Sequence, residues 1–381
     1  MKRPKRLVLF LLIAVSLLVG VHYYLWSRWF QSPNWSESVT LLGGVGLITL
    51  FGNFVFVFFS RDRSWLPKSL NTFLTQTAYV WLGAVFLAGM STAFVDVACF
   101  FVGFVSAPSS RVVASIAIAL SIVIVVTSLR NGIGPVKVLE VAVQLNKWPK
   151  GRDGFTIVQL SDVHIGPILK RKWLSRVVER VNEQKPDLIV ITGDLIDGPI
   201  ESFGDEVGPL SDLQAEHGVY YVTGNHEFYA NVDPWLERFE SLGLHVLGGR
   251  KVSIESAAGS FDLLGIHDRS SRRYGEKYQV NVDEILKGRD RSRALIALAH
   301  QPAQVGALEE HGVDLQLSGH THGGQIWPIS GLVNLEQPYL AGLYRHDDNL
   351  QVYVSRGTGF WGPPMRWFAP AEITKLVISK S

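Results

Sequence analysis

Four apolar runs, at residues 7–26, 39–59, 79–105 and 112–129, fill the first third of this 381-residue chain. Each is at least 18 residues long, enough helix to cross a hydrocarbon core of roughly 30 Å. No water reaches that core, so backbone N–H and C=O groups must pair within their own segment, and the chain there has to be helical. The first run follows a basic leader, Met1-Lys-Arg-Pro-Lys-Arg6, as a signal peptide would. No small-x-small cleavage site follows and three further runs do, so a retained helix is expected. Trp26, Trp29 and Trp35 flank the first connection, where indole rings commonly mark a membrane interface.

Orientation follows from the charges of the short connections. Lys2, Arg3, Lys5, Arg6, Arg61, Arg63 and Lys68 lie on one side, Arg28 and Arg111 on the other. The positive-inside rule puts the N-terminus in the cytoplasm. Four crossings return the chain to that side, so the sequence predicts a multi-pass protein of the cell (inner) membrane with a cytoplasmic C-terminal domain. Asp96 is the one acid within the spans. An intramembrane carboxylate is a candidate for function, but with no basic partner in the spans a single polar contact between helices is the expected role.

The rest of the chain is chemically different. Residues 1–130 carry ten Lys/Arg and three Asp/Glu, whereas 131–381 carry twenty-six and thirty-one. The polar half therefore lacks the basic stripe of a nucleic-acid binder, and no nucleic-acid partner is expected. Cys99 is the only cysteine, which excludes a disulfide scaffold and any zinc site built on thiolates. The junction Asn131-Gly-Ile-Gly-Pro135 separates a four-span membrane domain at 1–131 from a soluble domain at 132–381. Beyond it, patterns of period 2 and period 3.6 alternate. Strands are predicted at 136–145, 155–160, 187–192, 219–223, 261–265, 294–299 and 315–317, with helices at 170–184 and 232–241. This is α/β architecture, in which chemistry collects at the carboxyl ends of strands.

Five of those ends are polar. They carry Ser161-Asp162-Val163-His164, Gly193-Asp194-Leu195-Ile196-Asp197, Gly224-Asn225-His226-Glu227, His300-Gln301-Pro302 and Ser318-Gly319-His320-Thr321-His322-Gly323-Gly324-Gln325. Glycine permits the tight turns that bring backbone and side chains to one point. The summed carboxylates, amide and imidazoles form a hard-to-borderline donor set, suited to Mn, Fe or Zn, with Mg as a further fit. Each piece alone is a common loop, whereas five in order at strand ends are not.

Together these blocks resemble the five signature blocks of the calcineurin-like metallophosphoesterases. The Gly-His-Thr-His-Gly-Gly-Gln block and the run Ser355-Arg-Gly-Thr-Gly-Phe-Trp-Gly-Pro-Pro364 resemble their bacterial membrane-associated branch, and the likeness covers about residues 136–378. It implies an α/β four-layer sandwich, two mixed β-sheets flanked by helices, with two divalent metal ions. Carried over, it implies that Asp162, His164 and His322 hold one ion, that Asn225, His300 and His320 hold the other, and that Asp194 bridges both. Two cations roughly 3.5–4 Å apart need a shared anion, and a bridging water there deprotonates readily to a hydroxide aimed at phosphorus. By the same resemblance His226 is not a ligand but faces the phosphate as general acid.

The implied activity is membrane-anchored hydrolysis of phosphate esters or anhydrides. Expected partners are a phosphate ester or lipid-linked phosphate as substrate, and the lipid bilayer. One alternative is a hydrolase specific for a nucleotide-linked lipid such as UDP-diacylglucosamine. Another is a non-enzymatic membrane sensor or transporter with a metal-binding domain; the intact ligand set and the scarcity of intramembrane charge argue against it. Asp197 and Glu227 read as carboxylates that orient ligand imidazoles, or as solvated turn residues. His267 follows a strand and is assigned a structural role, as are His22, His217, His245, His311 and His346, which lie outside the blocks. Arg269, Arg272 and Arg273 form a solvated face or an anion clamp. The run from Phe360 to Phe368 packs in the core or forms a lipid-facing rim, with core packing preferred.

Overall fold

The computed structural model describes residues 3–60, 65–103 and 109–381, without the side chains of 3–12 and 14. Lys2, Arg61, Arg63 and Val105 of the expectations above lie outside the described residues, as do the side chains of Arg3, Lys5 and Arg6. The chain divides into two compact units, Met1–Arg130 with Gly362–Met365, and Asn131–Trp361 with Arg366–Ser381.

The first unit is helical: α1 Arg3–Trp26, α2 Glu37–Phe59, α3 Lys68–Val102 and α4 Ser110–Ile133. Among the described residues α2, α3 and α4 are long and apolar enough to cross a membrane. The fourth expected span falls on α1, a 24-residue helix that opens on the basic leader and whose first side chains lie outside the described residues. At 1.5 Å per residue, the 35 residues of α3 measure about 52 Å. It begins well before the apolar run at 79, which therefore occupies only its later turns. Asp96 makes polar contacts to another helical segment, as expected, but one of its partners is charged. A π-helical turn at Ser27–Gln31 continues α1, so Arg28 rides on a helix, and its Nη2 lies 2.5 Å from Asp96 Oδ1. Tyr24 donates its hydroxyl to the other carboxylate oxygen at 2.6 Å. The partly buried acid is thus paired, as a charge among apolar helices needs to be.

The second unit holds two six-stranded mixed sheets. The first has the order β1-β12-β2-β3-β4-β5 and the second β10-β11-β9-β8-β7-β6. The strands are β1 Lys137–Leu145, β2 Phe155–Leu160, β3 Leu188–Thr192, β4 Val219–Val222, β5 His245–Val246, β6 Arg250–Ile254, β7 Phe261–Gly265, β8 Leu295–Leu298, β9 Leu315–Ser318, β10 Gly342–Arg345, β11 Gln351–Val354 and β12 Glu372–Lys380. Alternation along β3 shows how the layers form. Leu188 and Val190 join Ile157, Phe261, Leu263 and Leu317 in a core between the sheets. Ile189 and Ile191 face out, under Trp173, Val177 and Val181 of α5 Arg171–Asn182 and Trp235 of the helix Val232–Ser241. Parallel pairing of β2, β3 and β4 suits strands buried on both faces. Parallel pairing of β7, β8 and β9 mirrors this in the second sheet. The carboxyl ends of β2, β3 and β4 in one sheet and β8 and β9 in the other bear the five polar blocks.

Candidate metal centre

Backbone conformation singles out these loops before any side chain is considered. Ten non-glycine residues have positive φ among the described residues, and five of them are Asp162, His164, Asp194, His320 and His322, with φ from 51° to 70°. Each such residue costs on the order of 1–3 kcal/mol, which a fold tolerates where function requires it. Two glycines admit the crowding. A Cβ on Gly224 would collide with the Asp194 carboxylate, and one on Gly319 with Ser161 Oγ and the Asp162 carboxylate.

The loops bring seven of the eight candidate residues into overlapping clusters. Asp162, His164 and His322 form one cluster of donor atoms; Asp194, His300 and His320 form a second. His164, Asp194 and His226 make a third between them. His164 Nε2 lies 3.1 Å from His322 Nε2, and His320 Nδ1 lies 3.2 Å from His300 Nε2. Asp194 Oδ2 stands between, 3.2 Å from His300 Nε2 and 3.9 Å from both His164 Nε2 and His226 Nε2. The Asp194 Oδ1 accepts the backbone N–H of His226 at 2.9 Å, which leaves Oδ2 for the centre.

The fit to cations can be tested on the tautomers. His300 Nδ1 donates to the Thr192 carbonyl at 2.7 Å, and His164 Nδ1 to Asp197 Oδ1 at 2.8 Å. In the neutral rings the inward Nε2 atoms therefore carry lone pairs. Inward-turned imidazole nitrogens and carboxylate oxygens beside Asp194 repel one another until a cation lies among them. Asn225 Oδ1 is buried and has no hydrogen-bond partner among the described residues, an orphan that a cation would satisfy. The residues present fit divalent metal binding.

Asp197 and Glu227 act as more than solvated turn residues. Asp197 Oδ1 receives His226 Nδ1 at 2.6 Å as well as His164, so one oxygen orients two rings. Burial works against its charge, but the two imidazoles hold the carboxyl down at about 2. Glu227 accepts the backbone N–H groups of Gly224 at 2.7 Å, Leu195 at 2.7 Å and Asp194 at 3.1 Å, tying the β3 and β4 loops together. His226 is disfavoured as a cation by burial, yet Asp194 and Asp197 outweigh that and lift it to about 9.

Other expectations divide. His267 is structural: its Nδ1 pairs with Thr223 Oγ1 at 3.0 Å, and its ring packs on Phe228 and Tyr278. His217 stacks on Phe155, and His346 bonds Tyr339 and Glu309. Arg269, Arg272 and Arg273 are exposed on a 3-10 turn. The run 360–368 splits, with Phe360, Met365 and Arg366 buried and Trp361 and Phe368 exposed. Sequence reasoning missed Arg366. Its guanidinium donates to the carbonyls of Gly357, Gly359, His322 and Ala369, and Nη2 lies 3.1 Å from His322 Nδ1. An arginine between Met and Trp is the available signal, since a charge within an apolar run must reach solvent or a full set of acceptors.

Two mixed sheets with His, Asp and Asn converging from the strand ends define a metallophosphoesterase. Residues 155–324 match the calcineurin-like phosphoesterase family. Over 247 residues the chain is 41% identical to an uncharacterized metallophosphoesterase of Helicobacter pylori, covering 65% of each chain. It is 37% identical over 274 residues to a Danio rerio protein named transmembrane protein with metallophosphoesterase domain, covering 70% of this chain and 62% of that one. It is 30% identical over 243 residues to an uncharacterized metallophosphoesterase of Aquifex aeolicus, covering 64% of this chain and 91% of that one. The chain belongs to the calcineurin-like phosphoesterase family. Its match spans 65% of the length of the Helicobacter relative.

Proposed function

We propose that this chain is a membrane-anchored phosphoesterase that hydrolyses phosphate esters or anhydrides at a two-metal site. Asp162, His164 and His322 would hold one divalent ion and Asn225, His300 and His320 the other, with Asp194 shared between them. The observation that carries this reading is the pair of inward-facing imidazole couples, 3.1 and 3.2 Å apart, beside the Asp194 carboxylate. When bound, such ions supply Lewis acidity to phosphoryl oxygens and lower the pKa of water. The chain's own residues do the rest. Asp194 offers Oδ2 inward because His226 N–H occupies Oδ1. Asp197 takes His226 Nδ1–H, which leaves Nε2 to give its proton to the departing oxygen of the ester. Membrane spans at 1–131 would carry the phosphoesterase domain at 132–381 on the cytoplasmic face, the orientation that the charged connections favour.

The test is metal-stripped full-length protein, reloaded with single metals (Mn, Fe, Zn, Mg) and offered a phosphomonoester, a phosphodiester and a nucleotide-lipid pyrophosphate. Hydrolysis that returns with metal supports the reading and ranks the substrates. Hydrolysis by protein free of divalent metal would sink it.

A further inference from the structure

The second unit exposes an apolar rim beside the candidate centre. Trp327, Leu332, Leu335, Trp361 and Phe368 are 55%, 67%, 84%, 58% and 76% exposed. They are half of the ten large apolar side chains exposed between residues 131 and 381, yet they fall on two short segments. Those segments are bound to each other: Trp327 N–H donates to the Trp367 carbonyl at 3.1 Å, and the Gln325 amide exchanges hydrogen bonds with the backbone of Trp361 at 2.8 and 2.9 Å. Large apolar side chains left exposed on two hydrogen-bonded segments mark a surface that something covers.

Three observations identify the cover. First, the rim lies where the chain enters the domain. Asn131, still in the last turn of α4, donates its side-chain amide to the Arg366 carbonyl at 3.4 Å. Lys137, opening β1, pairs with Glu372, opening β12 four residues after Phe368. Second, Arg366, the one charged residue between Trp361 and Phe368, is buried with its guanidinium against the carbonyls of Gly357, Gly359, His322 and Ala369, so it puts no charge on the rim. Third, two tryptophans beside aliphatic and phenyl groups are the composition that settles at a lipid headgroup boundary.

We infer that this rim docks on the surface of the bilayer that holds the helices, so that the centre takes phosphates of acyl-bearing amphiphiles from the membrane plane. The rim and the centre share their loops. Gln325 N–H donates to the His322 carbonyl at 3.0 Å, and the Gly359 N–H, two residues before Trp361, donates to the Asp162 carbonyl at 2.9 Å. The substrate half of this inference rests on the phosphoesterase reading; the docking half does not.

The experiment uses the full chain with Cys99→Ser and single cysteines at Leu335, Trp361, Phe368 or Ala257, each labelled with an environment-sensitive fluorophore. Ala257 is exposed in the β6–β7 loop; neighbouring Ala258 faces Gly151, beyond the C-terminal end of β1 and away from Lys137. The protein is reconstituted in phosphatidylcholine–phosphatidylglycerol vesicles with or without lipids carrying a nitroxide high on the acyl chain. Loss of fluorescence at 335, 361 and 368, but not at 257, is expected. No loss at the three sites, or the same loss at all four, overturns docking. Blue-shifted emission without nitroxide quenching means that protein, such as a second copy, covers the rim, and overturns it too. For the substrate half, W361D/F368D should lose kcat/KM on an acyl-bearing phosphate in vesicles and keep it on the deacylated analogue. Equal loss on both, or on neither, overturns that half. If wild type cleaves neither, the phosphoesterase reading fails while the quenching result still decides docking.

Discussion

Asp197→Asn isolates one oxygen that serves two rings. Asp197 Oδ1 accepts His164 Nδ1 at 2.8 Å and His226 Nδ1 at 2.6 Å. Asparagine keeps a carbonyl oxygen in that place and removes the charge. Hydrogen bonds to a charged partner contribute roughly 1.5–3 kcal/mol and neutral ones about 0.5–1.5, so each ring loses on the order of 1–2 kcal/mol. At about 1.4 kcal/mol per decade that is roughly a 5- to 30-fold effect on each function. Through His164 it should appear as weaker affinity at one of the two metal sites, measured by titration against a chelator of known strength. Through His226 it should appear as lower kcat on an alkyl phosphodiester, whose poor leaving group needs a proton. A p-nitrophenyl ester, whose leaving group needs little protonation, should lose far less. Unchanged affinity together with unchanged kcat would refute the shared tether. Equal losses on both esters would refute the role of His226 alone.

Asp194→Asn should bind the fewest ions of any single-ligand variant, because in the proposed site it is shared between both ions; elemental analysis near two per chain for wild type and near two for the variant would contradict the bridging role. His226→Ala should retain its metals while turnover falls on the order of 10²–10⁴-fold, and loss of metal would reassign it as a ligand. Burial holds His267 down at about 4, with Arg250 adding to the effect, so its neutral form stabilises the fold above its ordinary value of 6.5 and that stability is lost as pH falls toward 4. Going from pH 6.5 to 5 should remove about 2 kcal/mol, and His267→Asn should show a shallower fall in unfolding temperature than wild type; parallel slopes would count against it. For topology, cysteines placed at Ser36, Ser69 and Ser381 should react with an impermeant reagent in intact cells only at Ser36, and reaction at Ser381 would put the domain outside.

The residues of the centre were legible because α/β sheets deliver loops to one edge, so Asp162, Asp194, Asn225 and His300 announce themselves by following short apolar runs. Their neighbours were less so. Asp197 stands three residues beyond Asp194, but nothing local says that its oxygen meets two imidazoles from other loops. Arg366 looked like the polar centre of an aromatic rim, and its four carbonyl partners come from turns that only the folded chain assembles. The Arg28–Asp96 pair was hidden by reading Ser27–Gln31 as a connection when it extends α1 as helix. The strands β5, β6 and β10 lie at sheet edges and are only partly buried, so they lack the continuous apolar runs that mark the central strands. β12 pairs in parallel with β1 across a separation of 235 residues, a distance at which periodicity carries no information.

That last strand also sets a timetable. β12 follows every other strand in the chain yet lies between β1 and β2, and its Glu372 N–H holds the Gly357 carbonyl in the loop that braces Asp162. Synthesis runs from the N-terminus, and domains fold as units once their parts exist. The helices can enter the bilayer while the ribosome is still working, but the first sheet must wait with a gap between two strands that are already made. Unpaired edges invite other strands, and contacts this remote in sequence form slowly. A ribosome stalled before residue 372 would therefore leave a chain with an open sheet and no assembled centre, exposed to aggregation and proteolysis.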